Sequence, residues 1–213
     1  NEQLQRVEKY LDKKGFDFID LRMEVLDHMI SDIESLINNN YSFENAFKIT
    51  VLKWNKHFKE TSSFYFGILY SESKIVVKKA VKIFKPFFFL YLAAYILPIL
   101  ITSNFAIQFS KSSINFFNGF LNGFTLSLLI YMIFIIVKML KSKVKTTYSF
   151  ILRTQYLGLI FLVIPLMMQN HFNTDGTLTP FLSGFHSAGF TISFICHHFY
   201  KKHIEEIKKY KIS

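Results

Sequence analysis

Three groups of side chains in this sequence have types and spacings that could do chemistry. Glu24, His28 and Asp32 recur at four-residue intervals and so share one helix face, where flanking carboxylates would favour a charged imidazole or contribute to a metal site. A linear set on one helix does not close a tetrahedral site alone, so the simpler reading is a solvent- or partner-facing histidine. His197, His198, His203, Glu205 and Glu206 form a second group, but they lack the His-Glu-x-x-His order of a zinc protease. Interfacial helix termination fits that order better than metal binding. The third group is His186, flanked by Ser183, Gly184, Ser187 and Gly189, together with the Asn115, Asn118 and Asn122 edge of an apolar segment. Polar groups in hydrocarbon need partners, so these four residues are expected to face one another in a polar bundle interior. Packing is the simpler role for them, and a proton or solute route is the alternative.

Other constellations are missing. Gly119 and Gly123 lie in an apolar run and read as helix packing, not as a phosphate cradle. Cys196 reads as a small buried hydrophobe, Arg153 as a snorkelling anchor, and His171 with Asp175 as too few groups for an ion site. Asp175 is the only acidic residue between Ser73 and Ile204, which leaves no carboxylate pair in the apolar region. No catalytic, cofactor-binding or metal-ligating residue is assigned, and the chain is read as a non-enzyme.

The elements that must carry these groups follow from composition. The 213 residues are 51% hydrophobic, with 26 phenylalanines and a mean hydropathy of +0.26. Residues 1–60 hold 9 basic and 11 acidic side chains, whereas 61–213 hold 16 and 4. The lysines fall in short clusters beside apolar runs, a placement suited to anionic lipid headgroups and not to nucleic acid. Residues 1–14 are polar and amphipathic, so no cleavable signal is read there.

Four apolar runs, about 87–107, 114–137, 150–169 and 178–200, are each near the roughly 20 residues that span a bilayer. Pro98 is expected to kink the first. Basic clusters precede the first run (Lys74, Lys78, Lys79, Lys82, Lys85), separate the second from the third (Lys138, Lys141, Lys143, Lys145) and follow the fourth (Lys201, Lys202, Lys208, Lys209, Lys211). The intervening loops carry only Lys111, so the positive-inside rule places both termini and the 138–149 loop in the cytoplasm. The predicted fold is all-α: a four-helix transmembrane body over 87–200, a cytoplasmic three-helix head over 1–60, a basic amphipathic connector over 61–86 and a basic tail over 201–213.

Within the head, Leu4, Val7 and Leu11 predict a helix stopped by Gly15. A second, capped by Asp17 or Asp20, should run to Ile37 and stop at Asn38-Asn39-Asn40, and a third should start at the cap Ser42 and reach about Phe58. The sequences Tyr10-Leu11, Val25-Leu26-Asp27-His28, Asp32-Ile33-Glu34 and Ser42-Phe43-Glu44-Asn45-Ala46-Phe47 resemble the helical head of bacterial HAAS or DUF1700-type membrane proteins. That resemblance covers residues 4–52 and implies a signalling role, often alongside PadR-type regulators. Under it, Asp27, His28 and Asp32 belong to a partner-recognition surface. The expected function is a noncatalytic scaffold or signalling protein of the bacterial inner membrane, binding a cytoplasmic protein partner through its head. The alternative is a small transporter or channel component, or an accessory subunit of one, assembled as a homo-oligomer.

Overall fold

A computed structural model describes residues 2–211. Among them are helices α1 (Glu2–Lys13), α2 (Ile19–Asn38) and α3 (Phe43–Asn55), strands β1 (Glu60–Ser63) and β2 (Gly67–Ser73), then α4 (Lys74–Asn104), α5 (Lys111–Lys141), α6 (Thr147–Thr154), a 3-10 turn (Tyr156–Leu159), α7 (Ile160–Met168) and α8 (Pro180–Lys211). They form two compact units.

The first unit comprises Asn1–Ile83, Ser142–Ile151 and Lys202–Ser213. Its three head helices end and begin where local chemistry directs. Gly15 at φ +63° follows α1, with Phe16 N–H donating to the Leu11 carbonyl (3.0 Å) and Gly15 N–H to that of Asp12 (2.9 Å). Asn40 at φ +68° repeats this arrangement after α2, where Tyr41 N–H reaches the Leu36 carbonyl. Both residue types tolerate the left-handed backbone that such a cap requires. Ser42 Oγ accepts Asn45 N–H and caps α3. Val7, Leu11, Phe16, Leu21, Val25, Met29, Ile33 and Ala46 are buried, so this unit has an apolar interior under a charged surface.

The expected cap of α2 is corrected. Phe18 occupies the cap position without a side-chain bond, Asp17 pairs with Lys145 at 3.1 Å, and Asp20 is buried within the first turn. There Asp20 Oδ1 accepts Thr147 N–H (2.9 Å) and Oδ2 lies 3.4 Å from Lys79 Nζ. A carboxylate at the N–H groups that begin α6, which have no acceptor within the helix, stabilises that helix end, and this outcompetes a cap on α2.

The described residues form the expected all-α fold, with a short two-stranded hairpin added between α3 and α4 where a helical connector was expected. Glu60 pairs with Ser73, Thr61 with Glu72 and Ser63 with Gly67, with a bulge after Thr61. Phe66 N–H closes the turn on the Ser63 carbonyl (3.0 Å), and Gly67 at φ +80° supplies the backbone that a three-residue loop needs. Phe66 is buried against Phe150 (5.3 Å between rings), whereas Phe64, Ile68 and Leu69 are exposed.

The second unit comprises Phe84–Lys141 and Leu152–Lys201. Two helices, α4 and α5, are long and apolar enough to cross a membrane, and α6 with the following turn and α7 makes a third if that pair, bent by 40°, counts as one span. α4 continues through both Pro86 and Pro98. The third run is not one straight helix. The bend falls at Gln155, between α6 and the 3-10 turn, and within that turn a Cβ added at Gly158 would lie 1.9 Å from Ile192 Cδ1.

α8 does not reach the apolarity of α4 and α5, yet it is the most buried of these helices. Leu182, Ser183, Phe185, His186, Ala188, Ile192, Ser193, Ile195, Cys196 and Phe199 are all enclosed. Its small residues let neighbours close in: a Cβ on Gly184 would lie 2.7 Å from the Tyr95 carbonyl oxygen, and one on Gly189 would lie 2.9 Å from that of Phe161. Gly119 and Gly123 were the expected packing glycines, but open space surrounds both positions. Close approach is made on α8 instead.

Candidate functional site

The most developed polar arrangement in the second unit lies where α5, α8 and the segment after α7 meet. α5 presents Asn118, Asn122 and Thr125 at helical-neighbour spacing, and α8 presents His186 in its second turn. Gln169, at φ +58°, reverses the chain after α7 and lays Asn170 and His171 on that face. His171 and Thr125 are fully buried and His186 nearly so.

The contacts form one chain. Thr125 Oγ1 lies 3.3 Å from His186 Nδ1, His186 Nε2 lies 3.2 Å from His171 Nδ1, and His171 Nε2 lies 2.9 Å from Asn122 Oδ1. Asn122 Nδ2 donates to the Gln169 carbonyl (2.8 Å), Asn118 Oδ1 accepts His171 N–H (3.0 Å), and Asn118 Nδ2 donates to Asn170 Oδ1 (3.0 Å). These roles assign the protons. Because the Asn122 amide nitrogen is committed to Gln169, its oxygen faces His171, so His171 carries its proton on Nε2. His171 Nδ1 then accepts from His186 Nε2–H, and His186 Nδ1 accepts from the Thr125 hydroxyl. Two neutral imidazoles thus satisfy every group in the chain. Protonating both would set two N–H groups against each other, so the pair holds at most one added proton.

Of the residues expected in the polar interior, Asn118, Asn122 and His186 join this network. Asn115 is exposed and outside it. Sequence reasoning missed His171 and Thr125 as members. A loop histidine and a lone threonine carry no periodic signal, and only the backbone reversal at Gln169 brings His171 to α8. Asp175 lies elsewhere in that loop, where it accepts from Thr177 N–H (2.9 Å) and Oγ1 (2.7 Å); these bonds hold its carboxyl below the usual range.

In the first unit, Asp27 and His28 are exposed on α2, with the His28 ring stacked at 6.5 Å on Trp54. Asp32 is engaged across the helix pair, accepting from Lys53 Nζ (2.7 and 2.8 Å) and Trp54 Nε1 (2.8 Å). Burial alone would raise its carboxyl, but the bonds from Lys53 and Trp54 and the nearby charges of Lys53 and His28 outweigh that and hold it low.

The α8 histidines separate. His197 meets the Tyr131 hydroxyl at 2.5 Å, and His198 lies beside the Phe87 ring. His203 is fully buried in the first unit, between Thr146 Oγ1 (2.9 Å) and Ser142 Oγ (3.3 Å). Among the described residues no three His, Cys, Asp or Glu side chains converge as a metal site. No family model, curated protein or solved structure matches this chain.

Proposed function

We propose that the protein is a noncatalytic signalling scaffold of the bacterial inner membrane, with four crossings and a cytoplasmic unit that binds a protein partner. One observation carries this reading: residues before α4's apolar stretch, the segment after α5 and the last turns of α8 share a compact unit. Asp20 grips Thr147 and Lys79 within it, and His203 grips Thr146 and Ser142. Segments that fold together lie on one side of a bilayer. The chain then crosses an even number of times between residues 83 and 142, and again between 151 and 202, which supports two hairpins of membrane helices. Within the second unit, Gln108 bridges Thr177 and Phe109 N–H reaches the Gly176 carbonyl (3.0 Å), tying together the two lysine-poor loops. The lysine clusters put the first unit in the cytoplasm, beside anionic headgroups.

The head's likeness to HAAS or DUF1700-type proteins supports the signalling role, with the exposed Asp27 and His28 as contact residues and Asp32 shaping the surface behind them. The transporter reading has the His171–His186 pair in its favour, but that chain is closed on itself, as structural packing requires. Cross-linking and gentle purification of full-length protein, wild type against Asp27→Lys with His28→Glu, tests the proposal. Loss of one stoichiometric partner at unchanged abundance is the expected result. An unchanged complex, with ion or solute flux in liposomes, would replace it with the transporter reading.

A further inference from the structure

The end of α3 and the start of α4 enclose a surface concavity of about 440 Å³, lined by Trp54, Lys56, His57, Lys74, Ile75 and Lys78. The hairpin builds it. Its closing end donates Lys74 N–H to the Lys59 carbonyl (2.9 Å) and Ile75 N–H to that of His57 (3.1 Å), which draws residues 56–59 beside the first turns of α4. Trp54 forms one wall, fixed by its bond to Asp32 and lying 5.4 Å from the His57 ring. Lys53, Lys79, Lys145 and Lys202 of the same unit each pair with a carboxylate. Among the described residues, Lys56, Lys74 and Lys78 make no such pair.

Three ammonium groups therefore line one hollow without a carboxylate partner, and Lys74 and Lys78 stand one turn apart on the same helix, where like charges repel weakly. His57 senses the resulting field. Burial first, and then Lys56, Lys74, Lys78 and Lys53, push its imidazole below the ordinary histidine value. We propose that this hollow is an anion site that binds a phosphate monoester or diphosphate through Lys56, Lys74 and Lys78. The phosphate belongs to the headgroup of an anionic phospholipid or to a soluble compound, and the same chemistry serves both. The site adjoins the His28 surface through Trp54, on which the His28 ring stacks, but its three lysines are distinct from Asp27 and His28, so it stands whether or not a protein partner binds there.

Full-length protein labelled with nitrogen-15 histidine, in phosphatidylcholine nanodiscs, provides the test. In one arm pyrophosphate is titrated into solution; in the other the discs contain equal parts phosphatidylcholine and phosphatidic acid. Occupancy places negative charge beside His57 and raises its titration midpoint. The combined Lys56→Gln, Lys74→Gln, Lys78→Gln variant should bind about a hundredfold more weakly. These lysines are exposed and hold no structural contact, and the combined Lys→Arg variant should retain binding. A rise only with phosphatidic acid, absent from the glutamine variant, assigns a lipid headgroup. A rise with pyrophosphate, alone or as well, assigns phosphate that needs no bilayer. Constancy of the His57 midpoint in both arms overturns the proposal, as does a rise that persists in the glutamine variant, which would report general surface charge only.

Discussion

The two units sort their residues in opposite senses. In the first, apolar side chains such as Leu11, Val25 and Met29 are inside and, Asp20 apart, the carboxylates lie toward the surface. In the second, only 6% of the apolar window of α4 and 17% of that of α5 is buried, while the more polar α8 is enclosed. Phe89, Leu97, Leu100, Phe116, Phe120, Ile130 and Leu140 all face outward. Water drives the first pattern by excluding apolar surface. The second suits a hydrocarbon surrounding, where apolar side chains gain nothing by turning inward and small or polar groups find partners only at the centre.

Truncations at matched positions break this comparison most sharply. Leu11→Ala, at a fully buried site, should cost the first unit about 2–5 kcal/mol. Ile130→Ala, at a 60% exposed site on α5, should cost less than about 0.5 kcal/mol. Denaturation of the detergent-solubilised protein, followed by hydrogen exchange in each unit, separates them. Equal costs would sink the idea that the two surfaces face different solvents.

Glycines sharpen it further. Gly184→Ala pushes a methyl group onto the Tyr95 carbonyl oxygen and Ile99, and should cost about 1–3 kcal/mol in thermal melting. Gly123→Ala meets open space and should be neutral or stabilising by about 0.5–1 kcal/mol. A reversed order would mean that the packing glycines lie on α5.

His186→Leu removes the donor to His171 and the acceptor for Thr125, a loss of about 1–3 kcal/mol. Lower abundance with matching loss of any flux marks a packing role. Normal abundance with abolished flux would give the pair a transport function.

The smallest effect concerns Asp32. Its carboxyl is held below the unfolded value, so the unfolded chain binds more protons as acid is added. The stability that Asp32 contributes is therefore complete above the ordinary carboxylate range and lost as pH falls through the folded value. Asp32→Asn should cost about 1–2 kcal/mol at neutral pH and nothing in strong acid, as read from urea melts across pH. A pH-independent difference would show that the carboxylate charge is not what joins α2 to α3.

Much of the fold was legible locally. Gly15, Asn40 and Ser42 punctuate the head as their backbone preferences and side-chain acceptors require. α4 contains most of the uncharged run read at 87–107, and α5 all of that read at 114–137. The hairpin was not legible, because Phe64 to Tyr70 shows neither helical periodicity nor clean alternation. Asp20 was misread as a local cap for a different reason: its preferred partner, Thr147, is 127 residues away.

Length, apolar periodicity and alternating lysine clusters are properties of neighbouring residues, so the sequence by itself determined the helices, their apolar stretches and the side on which basic flanks are expected. Tertiary structure alone decided that α8 is enclosed, that His171 completes a hydrogen-bonded chain with His186, and that Lys56 stands beside Lys74 and Lys78. Those outcomes depend on which helix faces meet and which distant backbone groups need partners, and both are settled only when the whole chain packs.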